Sequence, residues 1–479
     1  PILVSTNSSS SEQRSPIMHL DHNGTIYICW VSGNGDGSSI FVSKSSDKGK
    51  TFSTPVLACA NANSNSDMQR TTKFAIDPSG NLHFIWMATR VNKQPDIWYM
   101  RSTDQGENWT TPISLSNDDS KYAQDFPAIA CDSLGNIYAS FLDFREPVQS
   151  GVPSHGRLYF TRSIDGGVTW SKNITADSMP NGIGGTCECC AQHIAVSPMG
   201  NVYIAFRSNT VDKQNNNIRN IYLARSTDQG LSFQPSLNIQ DTDWILTACP
   251  MKGPNIVLDE TETAHVVWAD GRTFPSHLYY TSVTPGATTT PVNTTFDVAG
   301  AEVPNCPEIS TIGGGIFRAI VYQTSNYGAR YLLYSHGIAI VNNRPFPSGQ
   351  SQMYPSVQFA PDGTRYCVWQ DSKLGKPNIY FSKETVGLET ESVKENTEAT
   401  SLSIYPNPFS AEDRIITISQ QEATASTVRI IDELGRERFS TQLSNSTSQT
   451  IELPRLTEGN YLCVFHTGST VKTRMLTIK

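Results

Sequence analysis

Three cysteines and a histidine fall close together near the middle of the chain, in the stretch GIGGTCECCAQH (residues 182–193). Cysteine and histidine ligate soft metal ions, and cysteines also form disulfide bonds. The residues concerned are Cys187, Cys189, Cys190 and His193. Their Cys-x-Cys-Cys spacing differs from the common zinc motifs, which keep two to four residues between ligands. The spacing alone therefore leaves a metal site, a disulfide and reduced thiols as open interpretations.

The composition favours a folded, exported protein rich in turns. The 479 residues are 38% hydrophobic and 17% charged, with 33 Gly and 27 Pro, which is too apolar for disorder and too turn-rich for a helical fold. The net charge of −8 without a Lys/Arg block argues against nucleic acid or anionic membrane as a partner. No apolar run approaches roughly 18 residues, so we expect no membrane span. Ten cysteines and the opening PILVSTNSSS suggest an oxidising compartment and a mature N-terminus after signal removal.

One octet recurs four times in the first half of the chain. It has the form Ser-x-Asp-x-Gly-x-(Thr/Asn/Ser)-aromatic and occurs as SSDKGKTF (45–52), STDQGENW (102–109), SIDGGVTW (163–170) and STDQGLSF (226–233). Aspartate turns a chain through side-chain to backbone hydrogen bonds, and glycine accepts a positive φ. We expect the aromatic residue of each octet to lie in the core.

Strand patterns surround each octet and recur without it later in the chain. Each unit has a strand, a Gly/Asn turn, an alternating second strand and a third strand before the octet, then a short fourth strand. Three further units begin near residues 254, 307 and 355. The repeat predicts an all-β fold, a β-propeller over residues 1–383 with seven blades, or six if the degenerate sixth unit is not a blade. PILVST (1–6) is expected to supply the missing fourth strand of the last unit.

The composition changes after residue 383. Residues 384–401 are charged, rich in Thr and Ser and aperiodic, which predicts a linker. Residues 402–479 contain short alternating strands and Gly turns, which predict a small β-sandwich domain.

Two family resemblances follow from these motifs. IYPNPF, the stretch Val428 to Gly435 and the stretch Leu456 to Tyr461 together resemble the type A C-terminal sorting domain of type IX secretion cargo. That resemblance implies a Bacteroidetes-type bacterium and export to the cell surface or medium, with the type IX machinery as a partner. The octets are similar to the Asp-boxes (BNR repeats) of the sialidase superfamily, whose propellers include enzymes and proteins without activity.

Charged groups converge on one end of the predicted propeller. The octet joins strands three and four, so the loops at the opposite end are the expected functional face. The sialidase resemblance implies three arginines that clamp a substrate carboxylate, an acid and a tyrosine nucleophile. Candidates for these roles are Asp143, Arg145, Arg207, Arg272 and Tyr354, with Arg14 and Glu302 as further possibilities. The alternative is that these charges satisfy loop groups and pair around the rim.

The cysteine stretch precedes the fourth unit, and Cys249 and Cys306 precede the next two. We expect a disulfide from the Cys187, Cys189 and Cys190 group to Cys249 or Cys306. The alternative is a copper site, or a site for another metal ion, to which His193, Cys249 and Met251 contribute. Cys29, Cys131 and Cys367 lie within strand patterns and are expected to be buried thiols.

Three function classes remain open from the sequence. The first is a monomeric, exported propeller that binds a glycan or another surface ligand at its mouth. The second is an exo-sialidase or related glycoside hydrolase, and the third is a metal-binding propeller. A fluorogenic sialoside assay and metal analysis distinguish them.

Overall fold

Every regular element in the described part of the chain is a β-strand, which confirms the predicted all-β class. The computed structural model describes residues 1–6, 11–33, 37–62, 72–89, 94–118, 121–146, 156–178, 185–246, 253–273, 276–296, 304–312, 315, 317–325, 328–335, 338–346, 351–385, 403–408, 410, 414–419, 426–432, 437–456, 459–467 and 470–478. The chain divides into two compact units, one comprising Pro1–Thr311, Arg318–Leu333 and Val341–Glu384, the other Ile312–Phe317, Tyr334–Ile340 and Thr385–Lys479.

Antiparallel sheets follow one another along the first 385 residues. After β1 (Ile2–Leu3), the first sheet contains β2 (Gln13–Leu20), β3 (Ile26–Ser32), β4 (Ser39–Ser45) and β5 (Val56–Cys59). The second contains β6 (Lys73–Ile76), β7 (Leu82–Ala88), β8 (Asp96–Ser102) and β9 (Ile113–Ser114). The third contains β10 (Gln124–Cys131), β11 (Ile137–Asp143), β12 (Arg157–Ser163) and β13 (Ile174–Thr175).

The fourth sheet has two extra short strands. It contains β14 (Gly185–Thr186), β15 (His193–Val196), β16 (Val202–Val211), β17 (Asn217–Ile218), β18 (Ile221–Ser226) and β19 (Gln234–Asn238). The fifth contains β20 (Asn255–Leu258), β21 (Ala264–Asp270), β22 (His277–Val283) and β23 (Thr294–Phe296). The sixth contains β24 (Pro304–Ile312), β25 (Phe317–Thr324), β26 (Ala329–Ser335) and β27 (Ile338–Pro345). The seventh contains β28 (Met353–Phe359), β29 (Thr364–Asp371) and β30 (Asn378–Thr385).

The N-terminal strand completes the seventh sheet. In the antiparallel register, Ile2 pairs with Phe381 and Leu3 pairs with Tyr380. This pairing confirms the prediction that PILVST supplies the fourth strand of the last unit. The two ends of this part of the chain are therefore held in one sheet.

The first strands of neighbouring sheets contact each other in sequence. β2 contacts β6, β6 and β15 contact β10, β15 contacts β20, and β28 contacts β2. β24 is hydrogen-bonded to both neighbouring sheets. The Ile309 N–H donates to Asn255 Oδ1 of the fifth sheet at 3.2 Å, and Glu308 Oε2 accepts the Val357 N–H of the seventh sheet at 3.0 Å. The series of contacts between first strands therefore returns to its starting sheet.

Five of the second strands are buried along their whole length. Every residue of β3, β7, β11, β21 and β29 is buried. A strand covered on both faces needs apolar side chains on both, which explains why IYICWVS and LHFIWMA show little polar alternation. Four tryptophans of these strands, Trp30, Trp86, Trp268 and Trp369, are among the largest fully buried side chains.

The octets form the turns that the sequence predicts. In STDQGENW, the Ser102 hydroxyl donates to Asp104 Oδ1 at 2.7 Å and accepts from the Gly106 N–H at 2.9 Å. Asp104 Oδ1 also accepts the Asn108 N–H at 2.9 Å. Trp109 packs on a core phenylalanine at 4.4 Å between ring centroids, and it is partly buried. The octets are thus compact hydrogen-bonded turns whose aromatic side chain packs against the core.

A basic side chain links each octet-bearing sheet to the next sheet. The residue directly before the octet donates to a backbone carbonyl of the following sheet, which in three cases belongs to the fourth octet position. The pairs are Lys44 to Gln105, Arg101 to Gly166, Arg162 to Gln229 and Arg225 to Ala287. These bonds fix neighbouring sheets at the octet end.

The second unit contains two sheets with a common core. One sheet has β31 (Ser403–Tyr405), β32 (Ile415–Ser419) and β35 (Ser448–Glu452), and the other has β33 (Ser426–Asp432), β34 (Glu437–Leu443), β36 (Gly459–Thr467) and β37 (Thr470–Ile478). Ile416 and Ile418 of the first sheet share one buried apolar cluster with Val428 and Phe465 of the second. Most of the predicted linker, residues 386–401, lies outside the described residues.

Candidate functional site

Four first strands contain, within their first three residues, a strained residue directly before a proline. Ser15, Phe126, Cys306 and Tyr354 have positive φ values of 53°, 52°, 45° and 54°. Register shifts mark bulges in three of these strands, between Arg14 and Ile17, Asp125 and Ala128, and Met353 and Ser356. Positive φ is uncommon outside glycine, and strained backbone of this kind clusters at functional sites. We call this side of the sheets the bulge end.

Side-chain amides of the preceding sheet stabilise two of these strained residues. The Ser15 N–H donates to Gln370 Oε1 at 3.2 Å, and the Tyr354 N–H donates to Gln323 Oε1 at 3.3 Å. Each bond connects neighbouring sheets, the seventh with the first and the sixth with the seventh. The Tyr354 side chain is half-buried. The backbone of Tyr354, the predicted nucleophile, is therefore hydrogen-bonded to the preceding sheet at the bulge end.

The carboxylates at the ends of the second strands share the bulge end. Gln124 pairs with Asp143 and Met353 pairs with Gln370, next to Asp371. The octets follow the third strands, so they lie at the opposite end of the sheets. The register thus confirms the predicted separation of these carboxylates from the octets.

Asp143 and Arg145 form an ion pair on the third sheet. Arg145 Nη2 donates to Asp143 Oδ2 at 2.6 Å, and Nη1 donates to Asn117 Oδ1 at 2.6 Å. The guanidinium stacks over the Tyr159 ring at 4.6 Å, and Asp143 is fully buried. Both terminal nitrogens of Arg145 are therefore engaged within the protein.

Asp270 and Arg272 repeat this arrangement on the fifth sheet. Arg272 Nη2 donates to Asp270 Oδ2 at 2.7 Å, and Nη1 donates to Asp241 Oδ1 at 3.1 Å. The guanidinium lies 3.9 Å from the centre of the Tyr279 ring. The Arg272 side chain is only 3% exposed, so this arginine holds loops together in the described structure.

Arg207 is buried between the fourth and fifth sheets. Its Nη1 donates to the Arg219 carbonyl at 2.6 Å, and its Nη2 donates to the Ala269 carbonyl at 3.1 Å. The guanidinium lies 4.9 Å from the Trp244 ring centre. Desolvation lowers the pKa of Arg207, although Asp270 opposes this shift. The structure therefore brings Arg207 near the Asp270 ion pair, whereas the Asp143 pair and Tyr354 belong to other sheets.

The three sulfur atoms of the cysteine group lie close together, and the group contains both thiols and a disulfide-bonded cysteine. The Sγ atoms of Cys187 and Cys190 are 2.9 Å apart, those of Cys187 and Cys189 are 3.5 Å apart, and all three lie within 4.8 Å of one another. Cys189 is disulfide-bonded, whereas Cys187 and Cys190 are buried thiols. The hydrogen bond with Cys190, supported by the charges of Arg219 and Arg207, lowers the pKa of Cys187 to about 7 against the effect of burial.

Cys306 is a thiol, so the predicted alternative of a disulfide to Cys306 is wrong. The physical reason is placement: Cys306 lies on β24 of the sixth sheet, and the fifth sheet stands between it and the fourth. Cys29 and Cys367 are buried thiols as predicted, but Cys131 is only partly buried. The predicted contributors Cys249, Met251 and Glu302 lie outside the described residues.

His193 belongs to a different group from the cysteines. Its ring forms a hydrogen bond with the Ile256 backbone. Burial, together with the charges of Lys73 and His19, lowers the pKa of His193 to about 3. Lys73 also acts on Glu308, whose pKa is raised by burial. These titratable residues lie on the first strands of four sheets. Sequence reasoning missed His19, Lys73 and Glu308, and their shared position on first strands was the available signal.

The BNR repeat-like domain family matches residues 24–274, and the chain belongs to this sialidase-like family. A second family, the secretion system C-terminal sorting domain, matches residues 403–479. The protein is therefore directed to secretion or the cell surface of a Bacteroidetes-type bacterium, as the sorting motifs predict. Among the described residues, no helical segment has the length and apolar character needed to cross a bilayer.

Solved structures to which the chain is similar include two sialidases and a polysaccharide lyase. The Hadza microbial sialidase Hz136 is 15% identical with a TM-score of 0.43, and the alignment covers 66% of this chain and 64% of that chain. The NanB sialidase from Streptococcus pneumoniae is 12% identical with a TM-score of 0.44, covering 67% of each chain. A PL25 ulvan lyase is 10% identical with a TM-score of 0.49, covering 79% of this chain and 95% of that chain. No curated protein matches the chain.

Proposed function

We propose that residues 1–383 form a seven-bladed β-propeller and residues 402–479 a small β-sandwich, joined by a linker over residues 384–401. Three observations support the propeller: the consecutive four-stranded pattern of the sheets, the series of contacts between first strands, and the pairing of β1 with β30. Such pairing of the two ends closes a ring of blades and removes exposed sheet edges.

We propose further that the exported propeller binds a carbohydrate at the bulge end. The observation that carries this proposal is the set of half-buried polar and aromatic side chains at its strained strand entries. These are Arg14, Asp125, Asn305 and Tyr354. A flat aromatic ring among hydrogen-bonding groups suits the alternating apolar and polar faces of a sugar. A rigid backbone at these positions lowers the entropic cost of binding.

The arginine geometry favours binding over sialidase chemistry. A sialidase clamp requires guanidinium groups that are open to a substrate carboxylate. Arg272 and Arg207 are almost completely buried and donate to protein oxygens, and Arg145 is engaged with Asp143 and Asn117. The role of these arginines, with Asp143 and Tyr354, in hydrolysis stays a prediction. The proposed role of the three arginines here is to hold the loops that present the sugar-binding residues.

A metal site at the cysteine group is the second candidate function. The observation that favours it is the 2.9 Å distance between the Cys187 and Cys190 sulfur atoms, with the Cys189 sulfur within 4.8 Å should its disulfide be reduced. Thiolate ligands select soft ions such as Cu(I), and the buried thiols of Cys187 and Cys190 have suitable chemistry. His193 does not belong to this compact group, so the donor set in the described residues is sulfur alone. Metal analysis of protein purified without chelator tests this candidate.

The proposed binding function is tested with two assays on the same secreted protein. A glycan array covering sialylated, neutral and sulfated sugars reports binding, and a fluorogenic sialoside reports hydrolysis. Our proposal predicts at least one bound glycan class and no sialoside turnover. Turnover that is lost in Tyr354→Phe would instead establish the hydrolase alternative. An array without any bound glycan would refute the proposed function.

A further inference from the structure

We propose that the Cys187 and Cys190 dithiol exchanges with the Cys189 disulfide, so that this part of the fourth sheet carries out intramolecular thiol–disulfide exchange. The proposal rests on three sulfur atoms in mutual reach. Cys187 Sγ lies 3.5 Å from Cys189 Sγ and 2.9 Å from Cys190 Sγ. The second distance is less than 1 Å longer than the roughly 2.0 Å of a disulfide bond.

Local backbone bonds hold these sulfur atoms together. Thr186 of β14 pairs with Ser208 of β16, and the Cys187 N–H donates to the Arg207 carbonyl at 2.8 Å. The Cys190 N–H then donates to the Cys187 carbonyl at 3.4 Å, which closes a turn. The turn places the sulfur atoms of Cys187 and Cys190, the first and last cysteines of a Cys-x-x-Cys sequence, next to each other. A cysteine pair of this spacing is typical of redox-active dithiols.

The exchange needs no external oxidant. The Cys187 thiolate attacks Cys189 Sγ, a Cys187–Cys189 bond forms, and the former partner of Cys189 leaves as a thiolate. Cys190 then attacks Cys187 Sγ, the Cys187–Cys190 bond forms, and Cys189 leaves as a thiolate. The Cys190 proton goes to one of the two released sulfurs. Two thiols are oxidised and one disulfide is reduced, so the number of thiols is unchanged.

The surroundings favour Cys187 as the attacking group. Cys187 Sγ lies within 3.5 Å of both other sulfur atoms, so it is placed to attack the Cys189 disulfide and then to be attacked by Cys190. Cys187 and Cys190 are 1% and 0% exposed, whereas Cys189 is half-buried. An external thiol therefore reaches the disulfide more easily than it reaches the attacking pair.

The exchange changes what the disulfide constrains. While Cys189 is bonded to its partner, a second segment of the chain is tied to the fourth sheet. The sequence predicts Cys249 or Cys306 as that partner; Cys306 is a thiol, and the pairing with Cys249 stays a prediction. After exchange, the bond lies within the short turn, and the second segment is released. The state of the three cysteines thus controls how tightly the two segments are joined.

Disulfide mapping of the full chain tests the proposal. Protein is purified without reductant, held at pH 4, and then shifted to pH 8 without oxygen. Samples are quenched with acid, labelled with N-ethylmaleimide and analysed by mass spectrometry of non-reduced peptides. We expect the Cys187–Cys190 peptide to appear as the original Cys189 disulfide disappears, at a constant thiol count. A Cys189 disulfide that persists at pH 8 would overturn the proposal.

Variants separate the two steps of the exchange. Cys187→Ser should retain the original Cys189 disulfide, and Cys190→Ser should accumulate the Cys187–Cys189 bond. Cys131→Ser removes a thiol of the neighbouring sheet and should exchange like the unmodified protein. If Cys187→Ser does not fold, Cys190→Ser still tests the order of steps. A Cys190→Ser protein that does not form the Cys187–Cys189 bond at pH 8, or a stoichiometric metal ion bound to the cysteine group, would contradict the proposal.

Discussion

The Lys383 ammonium donates a 2.7 Å hydrogen bond to the Lys48 carbonyl and so joins the seventh sheet to the octet of the first. Lys48 occupies the fourth octet position and has a positive φ of 58°. Arg101 and Gly166 show the same relationship between the second and third sheets. The bond therefore belongs to a repeated connection between sheets, and it supports the proposed closure of the ring.

We expect removal of this connection to lower the free energy of unfolding more where the basic side chain is buried than where it is exposed. Arg225 is 8% exposed and donates to the carbonyl of the half-buried Ala287, so Arg225→Met removes a buried charged donor from this acceptor. The expected loss in free energy of unfolding is roughly 1–3 kcal/mol. Lys383 is exposed, and Lys383→Met should cost about 0.5 kcal/mol or less. Urea denaturation of both variants measures the difference, and equal losses would argue against this reasoning.

The closing strand should be essential for stability. Val4 is completely buried beside β30, whereas Thr6 is exposed. Val4→Asp places an unpaired carboxylate in an apolar core, and we expect a loss of about 3 kcal/mol or more. Thr6→Asp is the matched control and should unfold like the unmodified protein. A thermal melt of Val4→Asp that coincides with this control would show that β1 does not close the sheet.

The octet aspartates should contribute acid-sensitive stability. The Thr169 hydroxyl and backbone N–H, with the Ser163 hydroxyl, lower the pKa of Asp165 to about 2 from its usual 3.8. Because the folded pKa is lower than the unfolded pKa, the contribution is complete above pH 4 and is lost as the pH falls towards 2. Asp165→Asn should therefore lower the melting temperature at pH 7 and flatten its fall below pH 4.

Glu260→Gln is the control for this measurement, because Glu260 is an exposed residue of a hairpin turn outside the octets. It should preserve the acid profile of the unmodified protein. If Asp165→Asn also preserved that profile, the octet carboxylate would not be the source of the acid sensitivity.

The repeats were predictable because their chemistry is local. Asp104 bonds to residues within its own octet, so the turn follows from eight consecutive residues. The basic residues before the octets were equally regular, since Lys44, Arg101 and Arg162 all occupy the preceding position. Their role was missed because their acceptors lie on another sheet, and only the spatial arrangement of the sheets reveals them.

The candidate site was harder to predict because burial decides its chemistry. ADGR contains a carboxylate and an arginine, which suggests a substrate clamp, yet Arg272 is bonded to Asp270 and Asp241 and stacked on Tyr279. The sequence gives no indication of that enclosure. The prolines after Ser15 and Tyr354 were visible, but the strained φ depends on amides of neighbouring sheets. Long-range partners therefore determine which polar residues remain open to a ligand.

The predicted linker should be the first site of proteolysis. Residues 384–401 are charged and lack a strand pattern in the sequence, whereas both flanking regions contain paired strands. Dilute subtilisin should first yield two stable fragments, one ending and the other beginning near this segment. Mass spectrometry identifies the cut. A first cut within one of the seven sheets would contradict the proposed domain division.

The proposed ligand site at the bulge end is tested most directly by titrating a glycan from the array into matched variants by calorimetry. Tyr354→Ala and Asp125→Ala change the bulge end, whereas Asp165→Asn changes an octet at the opposite end. Our account predicts at least about tenfold weaker binding for the first two variants, equivalent to roughly 1.4 kcal/mol. It predicts unchanged affinity for Asp165→Asn. Weaker binding in Asp165→Asn, with full affinity in Tyr354→Ala and Asp125→Ala, would contradict the account.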